Sequence, residues 1–513
     1  MPKCRTHAGC GYAYASSLGK CDDNCNGSDQ STVYRRAVAP IWGHKADMKI
    51  AIPKERREHE ARVAASPDTV KKLLGLSLDS VEVVVESGAG DGAAMTNDAF
   101  KAAGASIAKD YAETVKDADV VLKVRRPITS DEGGKTDELA GLKKGCKLIA
   151  LMDPWQATEG IGALAGAGVD AFSMEFMPRI TRAQAMDVLS SQANLAGYRA
   201  VIDAAAQFRR AFPMMMTAAG TVPPAKALIM GAGVAGLQAI ATARRLGAVV
   251  SATDVRPAAK EQVESLGASF VAVEDEEFKE AEAAGGYAKE MSEAYRKKQA
   301  ELIAETITKM DLVVTTALIP GKPAPKLVTA DMVKSMKPGS ILVDLAVTQG
   351  GNVELSEPDK VVEHGGVTII GHTNWPSRIA VSASQMYARN LLNFLQLMVD
   401  KENKTLTVDM EDEIMKATCL TREGKVVHPN LEGVSASTPS KGGSGSAKAA
   451  NAGAAVRKSS AGKTPESKTS GAKTSAGKAT GTKSTKSSGA KTSRSKTGGD
   501  TGGSDAGGQG NGS

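Results

Sequence analysis

The chain has 513 residues, 42% of them hydrophobic, which is enough for two or three globular domains. Its net charge of +6 comes from the C-terminal tail: residues 434–513 contribute +10 (thirteen Lys and Arg, three Asp and Glu), and residues 1–433 carry −4. The main body of the chain is therefore mildly acidic. The longest weakly polar run, residues 227–243, falls short of the roughly 20 apolar residues that a bilayer-spanning helix needs, so we expect no such helix.

Residues 1–47 are rich in Gly, Ser and Asn and show no apolar periodicity. Four of the six cysteines lie here, at positions 4, 10, 21 and 25, without the paired C-x2-C spacing of a zinc site. We predict a disordered extension and no metal site, with zinc binding as the alternative. The segment also lacks the apolar centre of a signal peptide. The remaining cysteines, Cys146 and Cys419, are too few for a disulfide framework, which fits a reducing cytosol.

Residues 48–190 alternate between strand and helix patterns. Apolar runs predict strands at 48–52, 81–86, 119–124 and 147–152, and helical stretches lie between them, among them 67–74 and 97–103. Alternation of this kind indicates a parallel sheet that is covered by helices on both faces. We therefore predict an α/β domain for this part of the chain.

The most informative motif is Gly-Ala-Gly-Val-Ala-Gly at residues 231–236. It follows the apolar run 227–230 and opens the helical stretch 237–246, after which a second apolar run, 248–253, ends at Asp254. Strand, glycine turn, helix, strand and acid in this order form a dinucleotide-binding fingerprint. The alternative is a glycine-rich turn in an ordinary βαβ unit without a ligand.

Each residue of the fingerprint has a predicted role. Gly231 permits the tight turn, Gly233 lets the backbone approach a pyrophosphate, and Gly236 lets the helix lie close to its strand. The positive end of the helix dipole faces the anion. Asp254 is placed to accept hydrogen bonds from ribose hydroxyls and to repel a 2′-phosphate, which predicts NAD(H) rather than NADP(H). Arg256 is the reservation, since an arginine beside this acid can accept a 2′-phosphate.

The alternation continues to about residue 377. It includes a charged helix around 286–309 and strands at 311–315, 340–346 and 367–370. A further helix at 382–399 is predicted to return to the first sheet, which would make the first domain discontinuous. We predict two Rossmann-like, doubly wound parallel-sheet domains, the first from 48–190 plus 380–433 and the second from 191–379. Residues 434–513 are Lys, Ser, Gly, Ala and Thr with few large apolar side chains and are predicted to be disordered.

Several runs resemble the alanine dehydrogenase and transhydrogenase superfamily, and most specifically the NAD(H)-binding component of proton-translocating transhydrogenases, the alpha subunit or the soluble first portion of a split one. The runs that carry the resemblance are 52–55, 60–64, 177–187, 194–199, 213–224, 285–289 and 315–325. The resemblance extends from Met48 to about Gly433. It implies hydride exchange between NADH held here and NADP⁺ held on a partner subunit, coupled to proton movement through membrane-embedded subunits (the second portion of the split alpha subunit, and the beta subunit). It also implies a homodimer that is cytoplasmic and peripheral to the membrane.

The resemblance also implies a nicotinamide site. Arg179, Gln184, Asp187 and Ser190 match the loop that surrounds the nicotinamide, and Tyr287 matches a mobile-loop tyrosine with Gly286 in its hinge. The predicted cofactor contacts are Arg179, Ile180, Thr181, Arg182, Gln184, Gly231, Gly233, Val234, Gly236, Asp254, Val255, Arg256, Gly286, Ala317 and Leu318. Spacing alone favours a solvated helix face with an N-terminal cap for residues 179–190, and an exposed aromatic for Tyr287.

Two other functions remain as alternatives. An alanine dehydrogenase needs a proton-transfer group, but residues 151–156 hold no His where that family places one, and Thr348 replaces its active-site Asp. Arg62 and Lys123 do match that family's carboxylate binders and are interpreted as inherited scaffold. An NAD-binding module without catalysis is the other alternative. The Lys-rich tail predicts no specific nucleic-acid binding, because it lacks interleaved aromatic residues.

Overall fold

The computed structural model of the chain describes residues 48–132, 136–279, 292–319 and 321–437. The predicted extension at 1–47 lies outside these residues, and so does the predicted tail at 434–513 except for its first four residues. Of these, Val434 packs against the core of the first domain and the Ser437 backbone N–H donates to the Gly162 carbonyl at 2.9 Å. Within them, the helices and strands form two α/β domains, each built on its own sheet. The predicted fold class is confirmed.

The first sheet has six parallel strands in the order β3-β2-β1-β4-β5-β6, which is the strand order of a doubly wound fold. Helices cover both of its faces. The elements are β1 (Met48–Ile52), α1 (Pro67–Leu74), β2 (Val81–Glu86), α2 (Asn97–Ala102), β3 (Ser106–Ala108), α3 (Tyr111–Val115), β4 (Val120–Arg125), β5 (Lys147–Leu151), α4 (Thr158–Gly166) and β6 (Asp170–Ser173).

Local sequence explains why these elements begin where they do. Helix α1 starts with a capping box, because Ser66 accepts a hydrogen bond from the Thr69 backbone N–H and Pro67 occupies the first helical position. In β1, Ile50 and Ile52 pack into the core on one face of the sheet, and Ala51 packs into the core on the other. A strand that is buried on both faces is expected in a parallel sheet.

The second domain follows the long helix α5 (Val188–Gln207). Its sheet has the order β11-β10-β9-β12-β13-β15-β14. The elements are the hairpin β7 (Met215–Thr217) and β8 (Gly220–Val222), then β9 (Lys226–Met230), α6 (Val234–Arg245), β10 (Val249–Thr253), α7 (Ala258–Ser265), β11 (Ser269–Phe270), α8 (Glu276–Lys279), α9 (Glu293–Ile307), β12 (Leu312–Thr315), α10 (Ala330–Ser335), β13 (Ile341–Asp344), β14 (Val361–His364) and β15 (Val367–Ile370).

The chain then returns to the first sheet. Helix α11 (Ala380–Gln396) places Tyr387, Leu391 and Phe394 in the core of the first domain, and the Tyr387 hydroxyl donates to the Lys123 carbonyl of β4 at 2.9 Å. The remaining elements are β16 (Val399–Asp400), β17 (Thr405–Leu406), α12 (Glu413–Thr418), β18 (Cys419–Arg422) and β19 (Lys425–Val426). The first domain is therefore discontinuous.

The structure corrects two details of the prediction. The sheets are not wholly parallel, because β18 and β19 extend the first sheet in antiparallel fashion and β14 pairs antiparallel with β15. Helix α6 begins at Val234, three residues before the predicted start, because the glycine turn feeds directly into it. Both sheets belong to one compact unit, so the domain boundaries at residues 190 and 380 stay predictions. No helix in the described part of the chain is both long and apolar enough to span a bilayer.

Candidate functional site

The strand order of the second sheet reverses between β9 and β12, and the fingerprint lies at this switch point. Gly231 follows β9 and Thr316 follows β12. The Thr316 hydroxyl donates a hydrogen bond to the Gly231 carbonyl at 3.0 Å, which ties the two strand ends together. In open α/β sheets, ligands bind in the crevice outside the carboxyl ends of the strands at this point.

The three glycines of the turn meet different constraints. Gly231 has a φ of +104°, a backbone conformation that favours glycine. A Cβ added at Gly236 would lie well under 3.0 Å from the Gly231 carbonyl oxygen. A Cβ added at Gly233 would meet nothing within 4 Å. The turn is therefore tight on its protein side and open at Gly233.

The first turn of α6 is suited to an anion. Its N-cap is Gly233, which supplies no side chain to accept the first backbone N–H groups. Val234, the first residue of the helix, is exposed. Uncapped N–H groups and the positive end of the helix dipole together favour a phosphate at this position. The residues present therefore fit the pyrophosphate of a dinucleotide.

Asp254 follows β10 and is held by four hydrogen bonds. Its Oδ2 accepts from the Ala232 backbone N–H at 2.7 Å and from Arg256 Nη2 at 2.9 Å. Its Oδ1 accepts from the Arg256 backbone N–H and from Arg256 Nε, both at 2.9 Å. The bond to Asp254 raises the pKa of the Arg256 guanidinium, against the effect of its partial burial. Val255, between the two, is exposed.

The loop after β12 forms the other wall of the crevice. The Ala317 backbone N–H donates to Asn352 Oδ1 at 3.0 Å, and Asn352 Nδ2 donates back to the Ala317 carbonyl at 2.9 Å. Asn352 is fully buried, so it fixes the course of this loop, while Leu318 remains exposed. Asn352 was not predicted from the sequence, where its only signal is its position after the Gly350–Gly351 pair.

The predicted nicotinamide loop lies where the first domain passes into α5. Asp187 is the N-cap of α5, and its carboxylate accepts hydrogen bonds from the backbone N–H and the hydroxyl of Ser190. The side chains of Arg179, Thr181 and Gln184 are exposed. The N-terminal cap expected from spacing alone is thus present, and the exposed side chains precede it.

Two residues of this loop face the first domain instead. Ile180 packs against its hydrophobic core. Arg182 forms an ion pair with Asp412, the N-cap of α12, with Nη1 and Oδ2 at 2.6 Å. The pair raises the pKa of the exposed Arg182 guanidinium. The structure thus gives Arg182 a partner in this chain, and its role as a cofactor contact stays a prediction.

Helix α5 joins the loop to the glycine turn. Gly197 of α5 lies against the Ala235 carbonyl in the first turn of α6, and Asn194 Nδ2 donates to Gln238 Oε1 at 3.2 Å. At 1.5 Å per residue, Asp187 lies about 15 Å along α5 from this contact. The structure thus gathers the fingerprint residues and the 317–318 loop at one switch point, with residues 179–190 one helix segment away. Gly286 and Tyr287 lie outside the described residues.

Comparison with known proteins decides the family. The alanine dehydrogenase/PNT N-terminal domain matches residues 51–196, and the C-terminal domain of the same family matches residues 200–429. The chain belongs to the alanine dehydrogenase/PNT family.

The relatives within this family are of two kinds. The first portion of the split NAD(P) transhydrogenase subunit alpha of Rhodospirillum rubrum is 61% identical over 386 residues, which are 75% of this chain and 99% of that protein. The alanine dehydrogenase of Halomonas elongata is 30% identical over 389 residues, which are 74% of this chain and 95% of that protein. The solved structure of transhydrogenase from Sinorhizobium meliloti, 57% identical, has a TM-score of 0.66 and covers 74% of this chain and 100% of its own.

Arg62 and Lys123, which the sequence suggested as inherited carboxylate binders, are both paired inside this chain. Arg62, almost fully buried, forms an ion pair with Glu60, with Nη2 and Oε2 at 2.7 Å. Lys123 Nζ lies 3.1 Å from Glu138 Oε1 and 3.4 Å from Glu55 Oε2. Both positive charges are thus neutralised by buried carboxylates.

The pKa values of two carboxyl groups beside these cations are shifted in opposite directions. Burial raises the pKa of Glu55, and the nearby Lys123 only partly offsets it. Burial would also raise the pKa of Glu60, but its ion pair and hydrogen bonds with Arg62 outweigh burial and lower it. The Glu60–Arg62 pair is therefore ionised, and Arg62 also donates to Gln192 Oε1 on α5 at 2.9 Å.

The loop after β5, residues 152–156, is held by a carboxylate and an aromatic contact. The Met152 and Asp153 backbone N–H groups donate to the Glu175 carboxylate at 2.9 and 2.8 Å, which fixes the loop after β5. Trp155 packs edge-on against Phe176, with ring centroids 4.8 Å apart. No imidazole is offered by this loop.

Two histidines do lie where the domains meet. His59 and His372 line a cavity of about 410 Å³ together with Asn374 and Ser377. Hydrogen bonds cross between the domains here, from Asn374 Nδ2 to the His59 carbonyl and from the Ala61 backbone N–H to the Ser377 hydroxyl. Burial lowers the pKa of His372, and nearby Arg378 adds to this effect. This contact between the domains was not predicted from the sequence.

Proposed function

We propose that this chain is the NAD(H)-binding subunit of a proton-translocating transhydrogenase. The reaction moves a hydride from NADH to NADP⁺ held on a partner subunit, so that NAD⁺ and NADPH form without release of a proton from either ring. The observation that carries the proposal is the switch-point crevice. It combines an uncapped helix N-terminus over the open Gly233 with a fixed carboxylate at Asp254. Similarity to the Rhodospirillum rubrum transhydrogenase subunit along 99% of its length supports it.

The residues of this chain have positioning roles in the proposal. The α6 amides bind the pyrophosphate, Asp254 accepts from the adenosine ribose, and the 317–318 loop bounds the crevice. Arg179, Gln184, Asp187 and Ser190 orient the carboxamide and ribose of the nicotinamide half. Direct transfer between two rings needs alignment at near-attack distance rather than an acid, a base or a nucleophile. Gly286 and Tyr287, which lie outside the described residues, are proposed as further contacts of the coenzyme.

The same proposal covers assembly. We infer a homodimer that docks from the cytoplasmic side on membrane-embedded transhydrogenase subunits, the second portion of the split alpha subunit and the beta subunit, which carry the NADP(H) site and the proton path. The name of the relatives, which designates them as one part of a subunit, supports docking on further subunits. The homodimer rests on the family resemblance. Docking on partners would place the protein peripherally at the membrane.

Two observations count against an alanine dehydrogenase. The buried Lys123 and Arg62 are already paired with Glu138, Glu55 and Glu60, so a substrate carboxylate would have to displace a carboxylate of the chain. The loop after β5 offers Trp155 where that activity needs a proton-transfer group.

The test follows an isotope. NADH that carries deuterium at both C4 positions is mixed with the full chain and with the NADP(H)-binding subunit of a transhydrogenase, loaded with NADP⁺. Mass spectrometry then measures the deuterium content of the NADPH formed. We expect NADPH with one deuterium and no exchange with solvent. Alanine-dependent reduction of NAD⁺ by the chain alone, without deuterium transfer in the first assay, would identify an amino-acid dehydrogenase. Tight NADH binding without either reaction would mean that the chain is an NAD-binding module without catalytic activity.

A further inference from the structure

The pairing of Arg256 with Asp254 is the feature of the crevice that the proposed function does not use. Arg256 approaches side-on, with Nε on Oδ1 and Nη2 on Oδ2, both at 2.9 Å. The Asp254 side chain is 7% exposed and that of Arg256 is 32% exposed. The carboxylate is thus enclosed, while the guanidinium reaches the rim of the crevice.

In this geometry the Nε–Nη2 edge of the Arg256 guanidinium is fully used by Asp254. A planar guanidinium binds a carboxylate or a phosphate best through two parallel N–H donors. Here the Nε–Nη2 edge is occupied by Asp254, and the backbone N–H of Arg256 adds a further bond to the same carboxylate at 2.9 Å. The positive charge is neutralised by the nearest negative charge. A phosphate that approaches the rim of the crevice therefore meets an ion pair without net charge, whose guanidinium edge is already bound to the carboxylate.

We propose that Arg256 is a coenzyme-selecting residue and that its pairing with Asp254 conceals a 2′-phosphate site. The inference rests on the proposed function, which places the adenosine ribose at Asp254. While the two side chains are paired, Arg256 orients the Asp254 carboxylate towards the ribose hydroxyls. Its own Nε–Nη2 donor edge is then not available to a phosphate. Without the carboxylate, the same donor edge becomes free to bind a 2′-phosphate. Coenzyme selectivity thus has two elements: the Asp254 carboxylate attracts the ribose hydroxyls, and the occupied guanidinium edge excludes a 2′-phosphate. Arg256 controls both.

Asp254→Ser and the double variant Asp254→Ser/Arg256→Gln separate these elements. Isothermal titration calorimetry measures NADH and NADPH uptake by each full chain at fixed ionic strength. For Asp254→Ser we expect NADPH to bind about 10- to 100-fold more tightly than to the unmodified chain, which is the range of a charge-assisted bond. The gain should be lost in the double variant. Arg256→Gln alone should weaken NADH binding without tightening NADPH.

Arg256→Lys is the matched control, because it keeps the charge and removes the planar two-donor edge. We expect it to weaken NADH binding, as Arg256→Gln does. Should Asp254→Ser fail to fold in a thermal scan, Asp254→Asn replaces it with a smaller expected gain for NADPH. Equal NADPH affinity in the single and double variants would overturn the proposal, and so would NADPH affinity unchanged by Asp254→Ser.

These outcomes are distinct from failure of the proposed function. If the unmodified chain binds NADH but Asp254→Ser gains nothing for NADPH, only the role of Arg256 is wrong. If the selectivity pattern holds and no deuterium reaches NADP⁺, the site is correct and the transhydrogenase reaction is wrong.

Discussion

Gly197 of α5 lies directly against the Ala235 carbonyl of α6, so that a Cβ added at Gly197 would approach this oxygen to well under 3.0 Å. The two helix backbones are therefore in contact at the first turn of α6, beside the glycine turn. Helix α5 begins at Asp187, within the predicted nicotinamide loop. This contact joins the two halves of the candidate site.

Gly197→Ala tests that contact. A glycine in a helix normally costs stability relative to alanine, but here the methyl group would push α6 away. We expect a loss of about 1–3 kcal/mol in the free energy of unfolding and weaker NADH binding. Gly160→Ala in α4 is the control, since its Cβ would meet only Arg126 at 3.5 Å. A gain of stability in Gly197→Ala would show that the helices are not in contact.

Gly233→Ala separates binding from folding. The added Cβ meets no protein atom within 4 Å and φ is −76°, so the thermal unfolding midpoint should stay unchanged. The methyl group would stand where the pyrophosphate approaches, and we expect NADH affinity to fall by at least about tenfold, or about 1.4 kcal/mol. Gly236→Ala should instead destabilise the fold, because its Cβ meets the Gly231 carbonyl. Full NADH affinity in Gly233→Ala would place the coenzyme elsewhere.

Lys123→Met tests whether the buried cations are structural. The substitution would leave the buried Glu55 without a counter-ion and Glu138 with only the partly exposed Arg56, at a cost of about 3–5 kcal/mol in the free energy of unfolding. Lys143→Met removes an exposed ion pair with Asp119 and should change stability by about 1 kcal/mol or less. Chemical denaturation of both variants gives the comparison. Equal small effects would mean that Lys123 is available to a ligand.

His428 gives stability a pH dependence. Burial lowers the pKa of its imidazole below the ordinary value of about 6.5, although the hydrogen bond to the Ala417 carbonyl opposes this. The unfolded chain therefore binds the proton more readily, so the stabilising contribution is present above pH 6.5 and is lost as the pH falls through the folded pKa. We expect urea unfolding between pH 5 and 7.5 to show this fall, with a smaller slope in His428→Gln. An identical slope in the variant would assign the effect to other groups, such as His372.

Much of the fold was predictable because local patterns determine it. The bounds of β1, β2, α1 and β15 were predicted from local apolar and helical patterns that need no distant partner. Strands β18 and β19 were not predicted, because they are short and depend on β6 as a template more than two hundred residues earlier. Antiparallel edges of this kind follow from tertiary pairing and leave little trace in a local window.

The candidate site was predictable where backbone conformation dictates residue type. Gly231 requires a positive φ and Gly236 a close approach, and both constraints are visible as glycine. The pairing of Arg256 with Asp254 and the hold of Asn352 on the 317–318 loop depend on side-chain geometry, which no spacing encodes. The roles of residues 179–190 came from family resemblance and stay predictions.

The crevice at Asp254 is proposed to select the unphosphorylated coenzyme. Calorimetric titration of the unmodified chain with NADH and with NADPH, in the same buffer and salt, measures this selectivity. We predict that NADH binds at least about tenfold more tightly. Equal or tighter binding of NADPH would show that Asp254 does not select the unphosphorylated coenzyme.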